Sequence, residues 1–373
     1  MRKQSLILTV ILLVVLLAVP GLALPLMAQE TPEPAEQTLG LGDEVTGTLE
    51  RGERTRYTLN LEDTDGPVDV VLFSPDNSLL YVYDEQGDRI QTVDRMWGYG
   101  NEVFTWESGD RKPAQVEVGF YLDDTAGDYS LSILPTEQQV SEEPRPGEQV
   151  KRWAEFEVGK AGTTRMVTLR FLLYVPEEYD ENQQYPFILF MHGSGEAGPR
   201  LDFLKTQVVP KLVEDGEDYP FIIASPQLNY GEAWDTKAAV LASFVAHLQT
   251  EFPIDPDRIY VTGLSVGGAG AWYFALAYPD VPAAVVPMAG FYAYGAAIVP
   301  RNICDLAEIP MWVFHGGQDE VVDLAWEQAL VDALKECGGD VQFTIYPDAG
   351  HSQTFEQGFA DPALYTWLLE QHK

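Results

Sequence analysis

The chain has 373 residues, with 23 Lys+Arg against 58 Asp+Glu and a formal net charge of −35. That charge excludes nucleic acid as the default partner, because nothing neutralises phosphates, and it disfavours anionic membrane surfaces. With 46% hydrophobic residues the chain is too apolar to be disordered, and its length suits two domains or one large domain with an appendage.

Arg2 and Lys3 precede an apolar run over 6–19, closed by Pro20-Gly21 and followed by small residues up to Ala28. A basic start, a short greasy stretch and a small-residue exit predict a signal peptide over 1–28, cleaved near Ala23 or Ala28. The run is shorter than the roughly 20 residues a bilayer-spanning helix needs. The expected location is therefore secreted, extracellular or periplasmic, with a membrane partner only if the segment stays uncleaved. Residues 29–38, rich in Pro and Glu, read as a linker.

Residues 39–134 carry short alternating runs at 56–61, 69–73, 79–83, 89–93, 115–121 and 127–133, separated by turn residues such as Asp84-Glu85-Gln86-Gly87. This pattern predicts a small all-β sandwich. Val45-Thr46-Gly47-Thr48-Leu49, Tyr57-Thr58-Leu59, Tyr83-Asp84-Glu85-Gln86-Gly87 and Ala126-Gly127-Asp128-Tyr129-Ser130-Leu131 make the segment resemble the jelly-roll-like bacterial pre-peptidase C-terminal module. The resemblance implies an accessory to a secreted hydrolase with no chemistry of its own. Tyr81, Trp97, Tyr99 and Trp106 admit two readings, carbohydrate contact or core packing, and packing is the commoner fate of sandwich aromatics.

A second Pro- and Glu-rich stretch, 135–149, reads as another linker, and the pattern then changes. Strand-like runs at 168–175, 187–191, 221–225, 258–262, 283–288, 311–314 and 342–346 alternate with helix-like stretches at 201–214, 237–251, 268–277, 322–337 and 362–370. Alternation of this kind predicts an α/β domain over 150–373, a mostly parallel sheet with helices on both faces. Chemistry in such sheets gathers beyond the carboxyl ends of the strands.

The strand at 258–262 runs into Gly263-Leu264-Ser265-Val266-Gly267, opening a helix. This G-x-S-x-G between strand and helix is a nucleophile elbow, with Ser265 as candidate nucleophile and the Val266 amide as one oxyanion donor. A serine needs a base. His372 is penultimate, and His315 leaves no acid-bearing strand between itself and Ser265; His351, on the loop 347–352 after the strand at 342–346, is the candidate base. Asp319, following the strand at 311–314, is the candidate acid; Asp323 is the runner-up and suits a helix cap better. After 187–191 comes His192-Gly193-Ser194-Gly195-Glu196, which offers the second oxyanion amide from Ser194, with Gly193 as the alternative. His192 and His315 read as loop-anchoring residues rather than as metal ligands, and no metal or cofactor is expected.

Together with Tyr174-Val175-Pro176 and Tyr185-Pro186, these motifs resemble the α/β-hydrolase superfamily. The nearest flavour is the secreted feruloyl and acetylxylan esterases, the polyhydroxyalkanoate depolymerases and the "predicted peptidases" akin to prolyl oligopeptidases. The resemblance implies hydrolysis of a small or polymer-linked ester, with carbohydrate among the carriers. A peptidase with the same triad is one alternative, and an attachment protein with a vestigial hydrolase domain is another. The intervals between Ser265, Asp319 and His351 leave little room for a large lid, so an open cleft is expected, lined by Trp234, Phe291 and Tyr292 or with these three packed away. Cys304 and Cys337 form either a disulfide or two buried thiols. Their expected position at the bottom edge of the sheet favours the disulfide.

Overall fold

A computed structural model describes residues 37–62, 64, 66–74, 78–94, 100–107, 109–120, 126–138, 141–159 and 164–373. The proposed signal peptide, the linker up to residue 36, Trp97 and Tyr99 lie outside them.

The first half forms strands β1 (Gln37–Gly40), β2 (Glu44–Leu49), β3 (Thr55–Asn60), β4 (Val68–Ser74), β5 (Ser78–Tyr83), β6 (Arg89–Val93), β7 (Gly100–Trp106), β8 (Gln115–Phe120) and β9 (Gly127–Pro135). They make two sheets, ordered β1-β3-β8-β5-β6 and β2-β9-β4-β7. Between the sheets Tyr57, Leu80, Val82 and Val116 meet Val70, Leu72, Phe104, Trp106 and Leu131 in one apolar core. Trp106 thus belongs to the packing. Tyr81 is also buried, with the Arg54 and Arg89 guanidinium groups over its ring.

The sheet β2-β9-β4-β7 is covered on its other face too. Side chains alternate across a strand, so Asp69, Val71 and Phe73 of β4 point away from the sandwich core. Their cross-strand partners on β7 are Thr105, Val103 and Asn101. Val71, Val103 and Leu134 close around Phe203, and Asp69 pairs with Arg200, both from the second half of the chain.

That second half contains β10 (Gln149–Val158), β11 (Arg165–Tyr174), β12 (Tyr185–Met191), α1 (Val208–Glu214), β13 (Ile222–Pro226), α2 (Ala238–Glu251), β14 (Ile254–Leu264), α3 (Val266–Ala277), β15 (Ala284–Met288), β16 (Met311–Gly316), α4 (Leu324–Glu336), β17 (Val341–Tyr346), α5 (His351–Ala360) and α6 (Pro362–Glu370). They build one sheet ordered β10-β11-β13-β12-β14-β15-β16-β17, antiparallel at β10–β11–β13 and parallel from β13 onward. Separate apolar clusters cover its two faces, one with Trp272 and Phe244 and the other with Phe190 and Phe359. This is the α/β-hydrolase fold, preceded by an all-β region.

Three local readings change. In the stretch read as a linker at 135–149, the described residues 135–138 and 141–149 are pinned rather than free: Ser141 exchanges hydrogen bonds with the Trp153 backbone, and Glu137 pairs with Lys151 and accepts from the Leu201 amide. The helix read over 201–214 is two pieces, a 3₁₀ turn at Leu201–Thr206 and α1, broken at the extended Gln207. Pro210 explains the break, since in one continuous helix its ring would strike the carbonyl of residue 206. Finally, His351 lies not on a loop but at the first residue of α5. No helix among the described residues is long and apolar enough to cross a membrane.

Candidate active site

Ser265 links β14 to α3 with φ 55° and ψ −119°, a conformation that non-glycine residues hold only when the surroundings enforce it. The Ser265 amide donates to the Met288 carbonyl (2.9 Å). A Cβ on Gly263 would come within 2.7 Å of the Met191 carbonyl oxygen, and one on Gly267 within 2.5 Å of the His192 carbonyl oxygen. Only glycines let the elbow close against β12. Val266 is the first residue of α3, so no acceptor within the helix can reach its amide, and the helix dipole adds positive potential beside the serine.

The three candidate catalytic side chains converge from the ends of β14, β16 and β17. His351 Nε2 lies 2.9 Å from Ser265 Oγ, and His351 Nδ1 lies 2.7 Å from Asp319 Oδ2. Phe355, one turn on, meets the imidazole edge-on at a centroid distance of 4.7 Å. The Asp319 carboxylate is fully buried, and its Oδ1 accepts from the amides of Val321 and Val322, both at 2.9 Å. Burial alone would raise its pKa. The hydrogen bond and charge of His351, then the two amides, outweigh burial and hold the carboxyl below its ordinary range. Asp323 caps α4, accepting from the Ala325 amide at 2.9 Å.

A second buried layer stands behind Asp319. His315 Nδ1 lies 2.6 Å from Glu327 Oε2, and its Nε2 lies 2.9 Å from the Val322 carbonyl and 3.6 Å from Asp319 Oδ2. Glu327 Oε1 also accepts from the Gly290 amide (2.9 Å) and the Trp272 indole (3.3 Å). Burial pulls the His315 pKa down, but the hydrogen bond and charge of Glu327 prevail, so it stays above the ordinary histidine value. The sequence reading took His315 as a loop anchor and missed Glu327. The signal was present: Glu327 shares a helical face with Leu330, Val331 and Leu334, where a carboxylate is out of place unless it has a buried partner.

His192 is buried and is held by both ring nitrogens, at Gly193 O (2.5 Å) and the Leu228 amide (3.0 Å). It fixes the turn that brings Gly193, Ser194 and Gly195 to the rim of a cleft of about 420 Å³. Ser265 and His351 open into this cleft beside Leu264, Phe355, Gln207, Gln318, Gln353 and Glu320. Among the described residues no Lys or Arg lines it.

Trp234, Phe291 and Tyr292 do not line this cleft. Trp234 is 2% exposed; its indole donates to the His192 carbonyl (3.0 Å) and its side chain abuts Gly270, so it braces the oxyanion loop from behind. Phe291 packs with Ala269, Val322 and Trp326. Tyr292 stacks obliquely on Tyr273 at 5.2 Å, and its carbonyl accepts from the Tyr273 hydroxyl. Apolar packing claims all three. The wall that sequence reasoning missed comes from the sandwich, as Phe73, Ser74 and Asn101. Its signal was the loose alternation of 69–73, apolar on both faces, which marks a strand covered twice. Cys304 and Cys337 are disulfide-bonded with Cα atoms 5.4 Å apart, joining the turn before β16 to the end of α4. No cluster of three His, Cys, Asp or Glu side chains among the described residues is arranged to hold a metal ion.

Residues 231–361 match the Phospholipase/Carboxylesterase family model. Carboxylesterase SOBER1 of Arabidopsis thaliana is 25% identical over 194 residues, covering 44% of this chain and 83% of the plant protein. Acyl-protein thioesterase 1 of Neurospora crassa is 33% identical over 107 residues, covering 28% of this chain and 43% of the fungal one. Among solved structures, a thermostable esterase aligns over 91% of this chain and 100% of its own, at 20% identity and a TM-score of 0.47. The chain carries the α/β-hydrolase fold, and its residues 231–361 are similar to the Phospholipase/Carboxylesterase family. Ahead of that fold stands the β-sandwich, which reaches the candidate active site through Phe73, Ser74 and Asn101.

Proposed function

We propose that the chain is a secreted serine hydrolase of carboxylic esters that works through an acyl-enzyme on Ser265. The observation that carries this reading is the single imidazole of His351, within hydrogen-bond reach of both Ser265 Oγ and Asp319 Oδ2. In the proposed cycle His351 Nε2 takes the Ser265 proton as Oγ attacks the ester carbonyl. The amides of Val266 and Ser194 receive the developing oxyanion. His351 then protonates the departing alcohol, and a water activated by the same imidazole releases the acid. Asp319, held as the carboxylate, fixes the imidazole orientation and balances its transient charge.

The cleft lining supports a neutral acyl group. Phe73, Leu264, Val321 and Phe355 offer apolar contact, and among the described residues the only ionisable groups lining the cleft besides His351 are Glu196 and Glu320, with no cation to meet an anionic acyl chain. Side-chain amides from Asn101, Gln207, Gln318 and Gln353 suit a hydroxyl-bearing partner, such as a feruloyl or acetyl ester on a sugar or polymer. Secretion rests on the basic and apolar opening of the chain.

The test is covalent labelling of the purified protein with a fluorophosphonate, beside turnover of an aryl-ester and feruloyl-ester panel and a peptide-library digest. Labelling and ester turnover by the wild type, both lost in Ser265→Ala, are expected. Turnover equal in the two proteins would reject the mechanism, and efficient peptide cleavage with negligible ester turnover would reassign the leaving group.

A further inference from the structure

We infer that the β-sandwich is part of the substrate site, and that Phe73 of β4 sets the size of the acyl group the enzyme accepts. Three observations converge on this. Phe73 and Asn101 are directly opposed across β4 and β7, so their side chains share one face of the sheet, the face turned away from the sandwich core. Asn101 is 3% exposed and its Nδ2 reaches the Gly195 carbonyl of the oxyanion loop at 3.4 Å, which fixes where that face points. Phe73 itself is only half-buried and lines the same cleft as Ser265 and His351, so its ring is presented to a ligand rather than consumed by the core.

Chemistry says which part of the ligand it meets. In the tetrahedral intermediate the leaving oxygen must face His351 Nε2 to take its proton, and the oxyanion must face the amides of Val266 and Ser194. The acyl substituent takes the remaining direction, into a cleft whose sandwich-side wall is Phe73, Ser74 and Asn101. The wall is fixed in place: below Phe73 on the same face, Val71 and Val103 enclose Phe203, and Asp69 pairs with Arg200 at 2.9 Å. The two halves are one acyl-binding device, with the sandwich as its fixed wall.

This inference rests on the ester-hydrolase reading and is tested on the full chain. The kcat/KM values for p-nitrophenyl esters from acetate to octanoate are compared for wild type, Phe73→Ala and Phe73→Trp, with labelling of Ser265 by a small fluorophosphonate scored alongside. Phe73→Ala is expected to raise the long-to-short selectivity ratio at least about tenfold and Phe73→Trp to lower it similarly, since a methylene-sized change in a pocket shifts selectivity about 10- to 200-fold. Shifts in opposite directions cannot come from impaired folding. Unchanged ratios in both variants, with the wild type labelled and active, overturn the role of Phe73 alone. A wild type that neither labels nor turns over any ester overturns the hydrolase reading and this inference with it.

Discussion

Asp69 and Arg200 form an ion pair across the joint between the sandwich and the hydrolase, Oδ2 to Nη1 at 2.9 Å, with both side chains almost wholly withdrawn from water. Around it the same carboxylate accepts from Thr105 and Thr136 hydroxyls at 2.8 and 3.0 Å, and the guanidinium donates to the Pro135 carbonyl at 2.7 Å. Removing one partner strands a buried charge, whereas exchanging both for apolar groups is far milder. Arg200→Ala is therefore expected to cost about 3–5 kcal/mol in urea unfolding. The double variant Asp69→Leu/Arg200→Leu should recover much of that loss, and the wild type should unfold in one transition by both fluorescence and circular dichroism.

The candidate triad yields graded kinetic expectations. Ser265→Ala should lower kcat about a million-fold with little change in KM, because the residual rate comes from binding and the oxyanion donors alone. Asp319→Asn should lower it about ten-thousand-fold through the wrong imidazole tautomer. Asp323→Ala, which removes only a helix cap, should lower stability by about 1 kcal/mol and leave kcat within a few-fold. Steady-state kinetics beside thermal melts separate the three.

The two buried acid–base pairs respond to pH in opposite senses. The His315 pKa is raised in the folded protein, so the stability it contributes is complete below the ordinary histidine value of about 6.5 and is lost as pH rises through the raised one. The Asp319 pKa is lowered, so its contribution is complete above the ordinary carboxylate value and is lost as pH falls through the depressed one. Thermal melts of wild type and His315→Gln should converge toward alkaline pH, and those of wild type and Asp319→Asn toward acid pH. Convergence at the opposite ends would refute the assignment.

The Cys304–Cys337 disulfide closes a loop across a sequence separation of 33. The chain-entropy model gives about 3–4 kcal/mol for such a loop. A Cys304→Ala/Cys337→Ala variant should show that loss in denaturant, while keeping its ester turnover under conditions where it remains folded, because the bond lies beyond the cleft residues.

Much of the catalytic half was legible in the sequence because its constraints are local. The glycines around Ser265 are demanded by the close approach of β12, and the positions of Asp319 and His351 follow from strands ending where they do. What escaped was set by packing across long separations. For Trp234 the sequence leaves cleft and packing roles equally open, and only the fold shows its indole spent on the His192 carbonyl. For Phe291 and Tyr292 too, the choice between the two roles is made by neighbours on α3 and α4. The apolar second face of β4 was visible, but nothing in residues 69–73 names Phe203 or the oxyanion loop as its cover.

The shared sheet face has a practical corollary for anyone trimming the gene. Ending the chain after Pro135 would bare Val71, Val103 and Leu134; starting it at Gln149 would strand Phe203 and Arg200 in water. Severed at that seam, each fragment inherits a sticky, charge-frustrated flank, so the joint that looks most like a dispensable tether is the worst place to cut.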